Sequence, residues 1–109
     1  MNPKTFNAYA NSLMSQAAKL RNVKMEEYVA EVDRLANFRK AANLTNQSIP
    51  ASIAGMMVKH TVSIYDMIDA EFGTFQTDSP HSLEMWREKI IDQINYLLLL
   101  YAAVREDRE

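Results

Sequence analysis

The 109-residue chain contains no cysteine. That absence removes disulfides, thiolate metal sites and nucleophilic thiols together. Glycine occurs only twice and proline three times, and with Ala, Leu, Met, Glu and Lys abundant this balance points to an all-helical domain. Positive charge is not pooled either. Twelve Lys and Arg are scattered among 14 Asp and Glu, for a formal charge of −2 and a pI near 5.7, so there is no electrostatic footprint for duplex nucleic acid. The nine-residue apolar run at 96–104 is about half of the roughly 20 residues a membrane-spanning helix requires. The opening stretch, MNPKTFNAYANSLM, lacks a basic region followed by an apolar core and a small-residue cleavage site, so a cytoplasmic protein is expected. No nucleophile elbow, phosphate-cradling glycine loop or zinc spacing is present.

What is there organises into four segments of one domain, a size at which oligomerisation helps stability considerably. Asn2 can cap a first helix with Pro3 in its first turn, and Phe6, Tyr9, Leu13, Ala17 and Leu20 recur at three or four, predicting a helix to about Arg21. In the second segment Tyr28, Val32, Leu35, Phe38 and Ala42 keep helical spacing, but Glu26, Glu27, Glu31 and Asp33 crowd together. It is either one long helix or an irregular acidic lead-in to a shorter helix near Asp33. Ser48 caps a third helix, with Pro50 in its first turn and Gly73 at its end. Its stripe is Ile53, Met57, Ile64 and Ile68, with Val58, Val62 and Tyr65 beside it. A loop ending in Asp78 or Ser79 as cap, with Pro80 first in the helix, leads to the fourth helix. There Leu83, Trp86, Ile90, Ile94, Leu97, Tyr101 and Val104 keep a heptad-like spacing. The expected architecture is a compact four-helix bundle with helices three and four as its most apolar pair.

The run EKIIDQINYLLLLYAAV at 88–104 carries the most information. It sets Glu88, Lys89, Asp92 and Asn95 into the most apolar stretch of the chain, with Asp92 and Asn95 on one helix face. Its second half has only apolar residues and is expected to be covered on nearly all sides. Half-buried polar groups need partners. On the third helix Lys59, Ser63 and Asp66 share one side, with His60 one position round. If that side faces Asp92 and Asn95, the pocket holds a cation, two carboxylates, an amide and a hydroxyl, a set able to bind phosphate, a base edge or a metal-bound water. The alternative is a buried salt bridge, Lys59 with Asp92 or Lys89 with Asp66, that fixes helix register. The acidic cluster at 26–33 could supply ligands for Mg²⁺ or could be a solvated face. His60, beside an apolar stripe, is an interior or interface histidine or a base. His81 is expected to face solvent. Trp86 and the methionines fit core or interface packing.

Three pieces in order, EYVAEVDRLANFRKAA at 27–42, VKHTVSIYDMI at 58–68 and EKIIDQINYLLLL at 88–100, resemble small bacteriophage proteins of the nucleotide modification associated domain type. Those proteins are distantly similar to the all-α MazG-like nucleoside triphosphate pyrophosphohydrolases. The matching positions are Tyr28, Asp33, Arg34, Leu35, Asn37 and Phe38, then Lys59 and His60, then Glu88, Lys89, Asp92, Asn95 and Tyr96. The resemblance implies an all-helical, MazG-like fold, assembly into homo-oligomers, and a site for a nucleotide or modified nucleotide. It also implies residence in the host cytoplasm if the chain is phage-encoded. MazG-like enzymes hold Mg²⁺ through Glu-x-x-Glu and Glu-x-x-Asp. Here the second motif reads Lys89-x-x-Asp92, and a cation in a ligand position repels Mg²⁺ and favours phosphate or a carboxylate. Glu27 and Glu31 lie near the place of the first. Hydrolysis is therefore disfavoured, and no catalytic residue or metal ligand is assigned. The candidate ligand-binding residues are Lys59, meeting phosphate, with Asp92 and Asn95, the latter reading a polar ligand edge; Tyr28 and Asn37 are second choices. A different expectation for the same chain is a non-enzymatic interaction protein that inhibits a host or defence protein through an exposed helical surface.

Overall fold

The computed structural model describes residues 1–27, 33–74 and 80–109, without the side chains of 24–27. Among the described residues there are four helices and no strand: α1 (Pro3–Glu27), α2 (Ala36–Thr45), α3 (Ile49–Phe72) and α4 (Leu83–Arg108). The all-α expectation holds. No helix is long and apolar enough to cross a membrane among these residues.

Most helix ends are where local chemistry places them. Asn2 Oδ1 accepts from the Thr5 amide at 2.8 Å, satisfying one of the free donors that open α1. This helix runs six residues past the expected end at Arg21, because residues 22–27 contain no glycine or proline to stop it. Before α2, Asp33 Oδ1 accepts from the Leu35 amide at 3.0 Å. The helix thus starts just after Asp33, as the shorter of the two alternatives requires, while the lead-in at 28–32 lies outside the described residues. It closes on Asn46 in the left-handed region at φ 53°, a conformation asparagine tolerates better than most side chains. Ser48 caps α3 by accepting from Ala51 at 3.2 Å, with Pro50 in the first turn. At its other end Gly73 donates to the Asp69 carbonyl at 3.0 Å, and a Cβ there would stand 2.5 Å from that oxygen.

The start of α4 corrects the expectation. Pro80 precedes the helix, and the cap is Ser82, whose hydroxyl accepts from the Met85 amide at 3.1 Å; Asp78 and Ser79 lie outside the described residues. Any serine can cap, and the one chosen is the one that brings Trp86 beside α3. There the indole N–H donates to the Glu71 carboxylate and His81 Nδ1 lies 3.4 Å from it. His81 is accordingly part-buried, with 28% of its side chain exposed, instead of solvent-facing.

Packing is arranged around α4. The helix pairs in contact are α3 with α4, the most extensive, then α1 with α4 and α2 with α3. The small core is formed by Leu35, Phe38, Ile53 and Ala103, with Ile49, Met56, Tyr96, Leu99 and Leu100 packed against it. Among the large side chains of the described residues only Ile53 is fully buried. On α1, Leu13, Ala17 and Leu20 turn toward α4, but Phe6 and Tyr9 of the same stripe remain mostly exposed. The array is more open than a compact bundle: its radius of gyration is 16.5 Å, against about 13 Å for a compact chain of this length. The 96–104 run departs from expectation in the same way. Tyr96, Leu99, Leu100 and Ala103 face the core, whereas Leu97, Leu98 and Tyr101 are 47%, 40% and 63% exposed.

Arg39 ties α2 to its own lead-in and to α4. Its guanidinium lies 2.6 Å from Asp33 Oδ2 through Nε and 2.6 Å from Glu106 Oε1 through Nη1, with a second bond from Nη2 to Glu106 Oε2 at 2.7 Å. Hydrogen bonds from Arg39 hold both carboxyls below their usual pKa range, and the two carboxylates in turn hold the guanidinium more firmly protonated. Depressed folded-state values contribute stability that is present above the unfolded-state pKa and is lost as pH falls through the folded one.

Two outcomes follow. Ile53→Ala is expected to cost about 2–5 kcal/mol by denaturant unfolding, and Leu44→Ala, at a position 88% exposed, to stay within about 0.5 kcal/mol of the parent. Melting temperature is expected to fall as the pH drops below roughly 4, and Arg39→Met should flatten that dependence; an unchanged acid limb in the variant contradicts this role for Arg39.

Candidate functional site

One short stretch of α4, from Asp92 to Tyr96, carries the polar groups of the molecule's middle. Gln93 Nε2 donates to Thr61 Oγ1 of α3 at 3.0 Å, and Thr61 shares its own proton between Gln93 Oε1 at 3.2 Å and the Met57 carbonyl at 3.4 Å. Tyr96 lies over His60, ring centroids 4.9 Å apart, and meets Phe38 edge-on at 6.3 Å. Those two residues bind α4 to α3 and α2.

Asn95 points the other way, to α1. Arg21 Nη1 donates to its Oδ1 at 2.8 Å, and its Nδ2 donates to the Ala17 carbonyl at 3.3 Å. Both halves of the amide are used. The expectation that Asn95 needs partners is met by α1, and Arg21 is a partner that spacing along α4 could not reveal.

Asp92 is partnered differently. Its Oδ2 lies 3.8 Å from His60 Nδ1 of α3, too far for a hydrogen bond and close enough for an ionic attraction when the imidazole is protonated. Asp92 accepts no hydrogen bond among the described residues, and 30% of its side chain is exposed. On its other side Asp92 joins Glu88 and Ile91 of α4 and Gln16 and Leu20 of α1 in lining a groove of about 390 Å³. The groove is a trough along the α1/α4 contact: Glu88, Ile91 and Asp92 form its α4 side and Gln16 and Leu20 its α1 side, while His60 of α3 approaches Asp92 from the other side.

The remaining predicted residues are more dispersed. Lys59 stands exposed on α3, one position from His60, and neither it nor Lys89 makes an ion pair among the described residues. The Lys59–Asp92 and Lys89–Asp66 bridges are thus not formed; the neighbour of Asp92 is His60. Asn37 is exposed in the first turn of α2, and Tyr28 lies outside the described residues. In the acidic cluster Asp33 is engaged with Arg39, and the side chains of Glu26, Glu27 and Glu31 lie outside the described residues. No group of three or more His, Cys, Asp or Glu able to hold a metal ion occurs among the described residues.

Comparison with protein-family models, curated proteins and solved structures finds no match to this chain.

Asn95→Ala leaves the Arg21 guanidinium and the Ala17 carbonyl without their partner, with an expected loss of about 1–2 kcal/mol. Amide exchange in α1 is expected to accelerate more than in α3. Equal acceleration in both helices would count against Asn95 as the fastening of α1.

Proposed function

We propose that this chain is a MazG-like helical protein of the phage nucleotide-modification type, which binds a nucleotide or modified nucleotide in the trough over α4. The observation that supports this best is the state of Asp92. In a seam where Gln93, Asn95 and Tyr96 are engaged with neighbouring helices, its carboxylate keeps unused acceptor capacity, faces a groove and has an imidazole 3.8 Å away. A carboxylate so placed can accept from the exocyclic amine or ring N–H of a base or from a ribose hydroxyl. His60 supplies a nearby donor, and exposed Lys59, one position along α3 from it, carries the charge that phosphate requires.

A Mg²⁺ centre of the MazG kind does not fit the described donor set. Glu88 and Asp92 are the two carboxylates on the groove, a third is lacking among the described residues, and Lys89 sits between them in sequence. The proposed activity is therefore binding, with no hydrolytic step assigned. Assembly of more than one chain belongs to the same proposal.

Calorimetric titration with nucleoside mono-, di- and triphosphates, each with and without Mg²⁺, is expected to show saturable binding by at least one class. No heat from any of them at millimolar concentration would sink the proposal. Asp92→Asn removes only a long contact from a part-exposed position, so its stability is expected to stay within about 0.5 kcal/mol of the parent while binding is lost. Unfolding of that variant would instead make Asp92 a structural residue.

A further inference from the structure

A second groove lies between α1 and α4, nearer their N-terminal ends than the trough beside Asp92. Along α4 it is lined by Leu83, Trp86, Arg87 and Ile90, at the spacing of three, four and seven that shares one helix face, and along α1 by Tyr9, Ser12 and Leu13, spaced in the same way. Its volume is about 440 Å³, within the roughly 300–1,000 Å³ of small-molecule sites. None of these residues lines the trough.

The lining is aliphatic and aromatic, and Arg87 is its one charged side chain. Arg87 is exposed and enters no ion pair among the described residues. Ser12 Oγ accepts from Gln16 Nε2 at 3.1 Å, so its own proton remains to be donated. Tyr9 and Leu83 are 57% and 79% exposed, apolar surface that an occupant of the groove covers.

Trp86 is fixed by the protein itself. Its indole N–H donates to the carboxylate of Glu71, whose side chain is only 8% exposed, and its ring centroid lies 6.4 Å from those of Phe72 and His81. A carboxylate so far from water is costly unless partnered, and among its partners are the indole and His81, 3.4 Å away. The end of α3 and the residues before α4 therefore set the orientation of the indole that borders the groove. A wall already ordered has little freedom to lose when a ligand arrives.

We infer that this groove binds a small aromatic carboxylic acid in its ionised form, with the ring against Tyr9 and Trp86 and the carboxylate on Arg87 and Ser12. Two aromatic side chains favour a ring over an alkyl chain, because offset and edge-on arrangements add to what burial alone supplies. A guanidinium takes a carboxylate through two parallel hydrogen bonds. One cation matches one negative charge, which separates this occupant from a nucleoside triphosphate. The site is independent of the nucleotide reading, and the failure of either leaves the other standing.

Trp86 is the only tryptophan of the chain, so its emission reads this groove. Titration of the full chain with phenylpropionate is expected to give a saturable change in that emission, with matching heat by calorimetry. Phenylpropionamide, which has the shape without the charge, is expected to bind about 10-fold more weakly. Cyclohexylpropionate, which has the charge without the aromatic ring, is expected to bind about 3-fold more weakly. Arg87→Gln, at an exposed position, is expected to lower the affinity for the acid to that for the amide and to leave the amide unaffected. No saturable response to the acid at millimolar concentration overturns the inference, as does equal binding of acid and amide or an Arg87→Gln variant that keeps the parental preference. Tighter binding of the cyclohexyl acid than of the phenyl acid overturns the aromatic assignment. If Arg87→Gln does not fold, the comparison of acid with amide on the native chain decides.

Discussion

Every tertiary relation of α1 and most of those of α3 pass through one helix, α4, which has to satisfy different neighbours on different arcs of its surface. α1 approaches one arc and α3 another, while Phe38 and Arg39 reach it from α2. The polar residues within its apolar length are what keep these neighbours apart and in register. Asn95 is committed to α1, and Gln93 and Tyr96 are committed to α3. A half-buried amide that loses its partner is costly, whereas an apolar side chain displaced by a turn still finds apolar company. The helices are therefore aligned by hydrogen bonds and held by packing.

This division explains the trough. Asp92 sits on the arc between α1 and α3, and neither helix reaches across to hydrogen-bond it. Its carboxylate remains part-exposed at the edge of a core, with acceptor capacity that no internal hydrogen bond uses among the described residues. On the opposite arc Leu97 and Tyr101 remain 47% and 63% exposed. The same helix thus carries a polar recess on one side and exposed apolar side chains on the other.

Much of the local structure was legible before any tertiary information. Asn2, Ser48 and Gly73 act at the helix ends where their side chains, or the lack of one, predict they should. The apolar pairing of the third and fourth helices followed from their stripes, since α3 and α4 make the most extensive contact. The boundary at the start of α4 was not legible, because three candidate caps, Asp78, Ser79 and Ser82, stand within five residues and each can accept an amide hydrogen. Of the site, Asp92 and Asn95 stood out as polar residues in an apolar run. Arg21 did not, because a single arginine near the end of an amphipathic helix has the same sequence signature whether it meets water or a neighbouring amide.

The sequence by itself determined that the chain is helical, where α1 and α3 begin, and that 88–104 must bury apolar surface around a few polar groups. Those properties depend on neighbours within a turn or two, where spacing is geometry. Only the tertiary structure decided which arc of α4 is core. The heptad-like stripe of Leu83, Ile90, Ile94, Leu97 and Tyr101 looks like an internal seam, yet the chain's own core uses Tyr96, Leu99, Leu100 and Ala103. In a run apolar all round, periodicity does not distinguish one arc from the next. The choice fell to side chains with specific demands, Asn95 and Gln93, whose partners lie on helices that sequence spacing alone does not bring together.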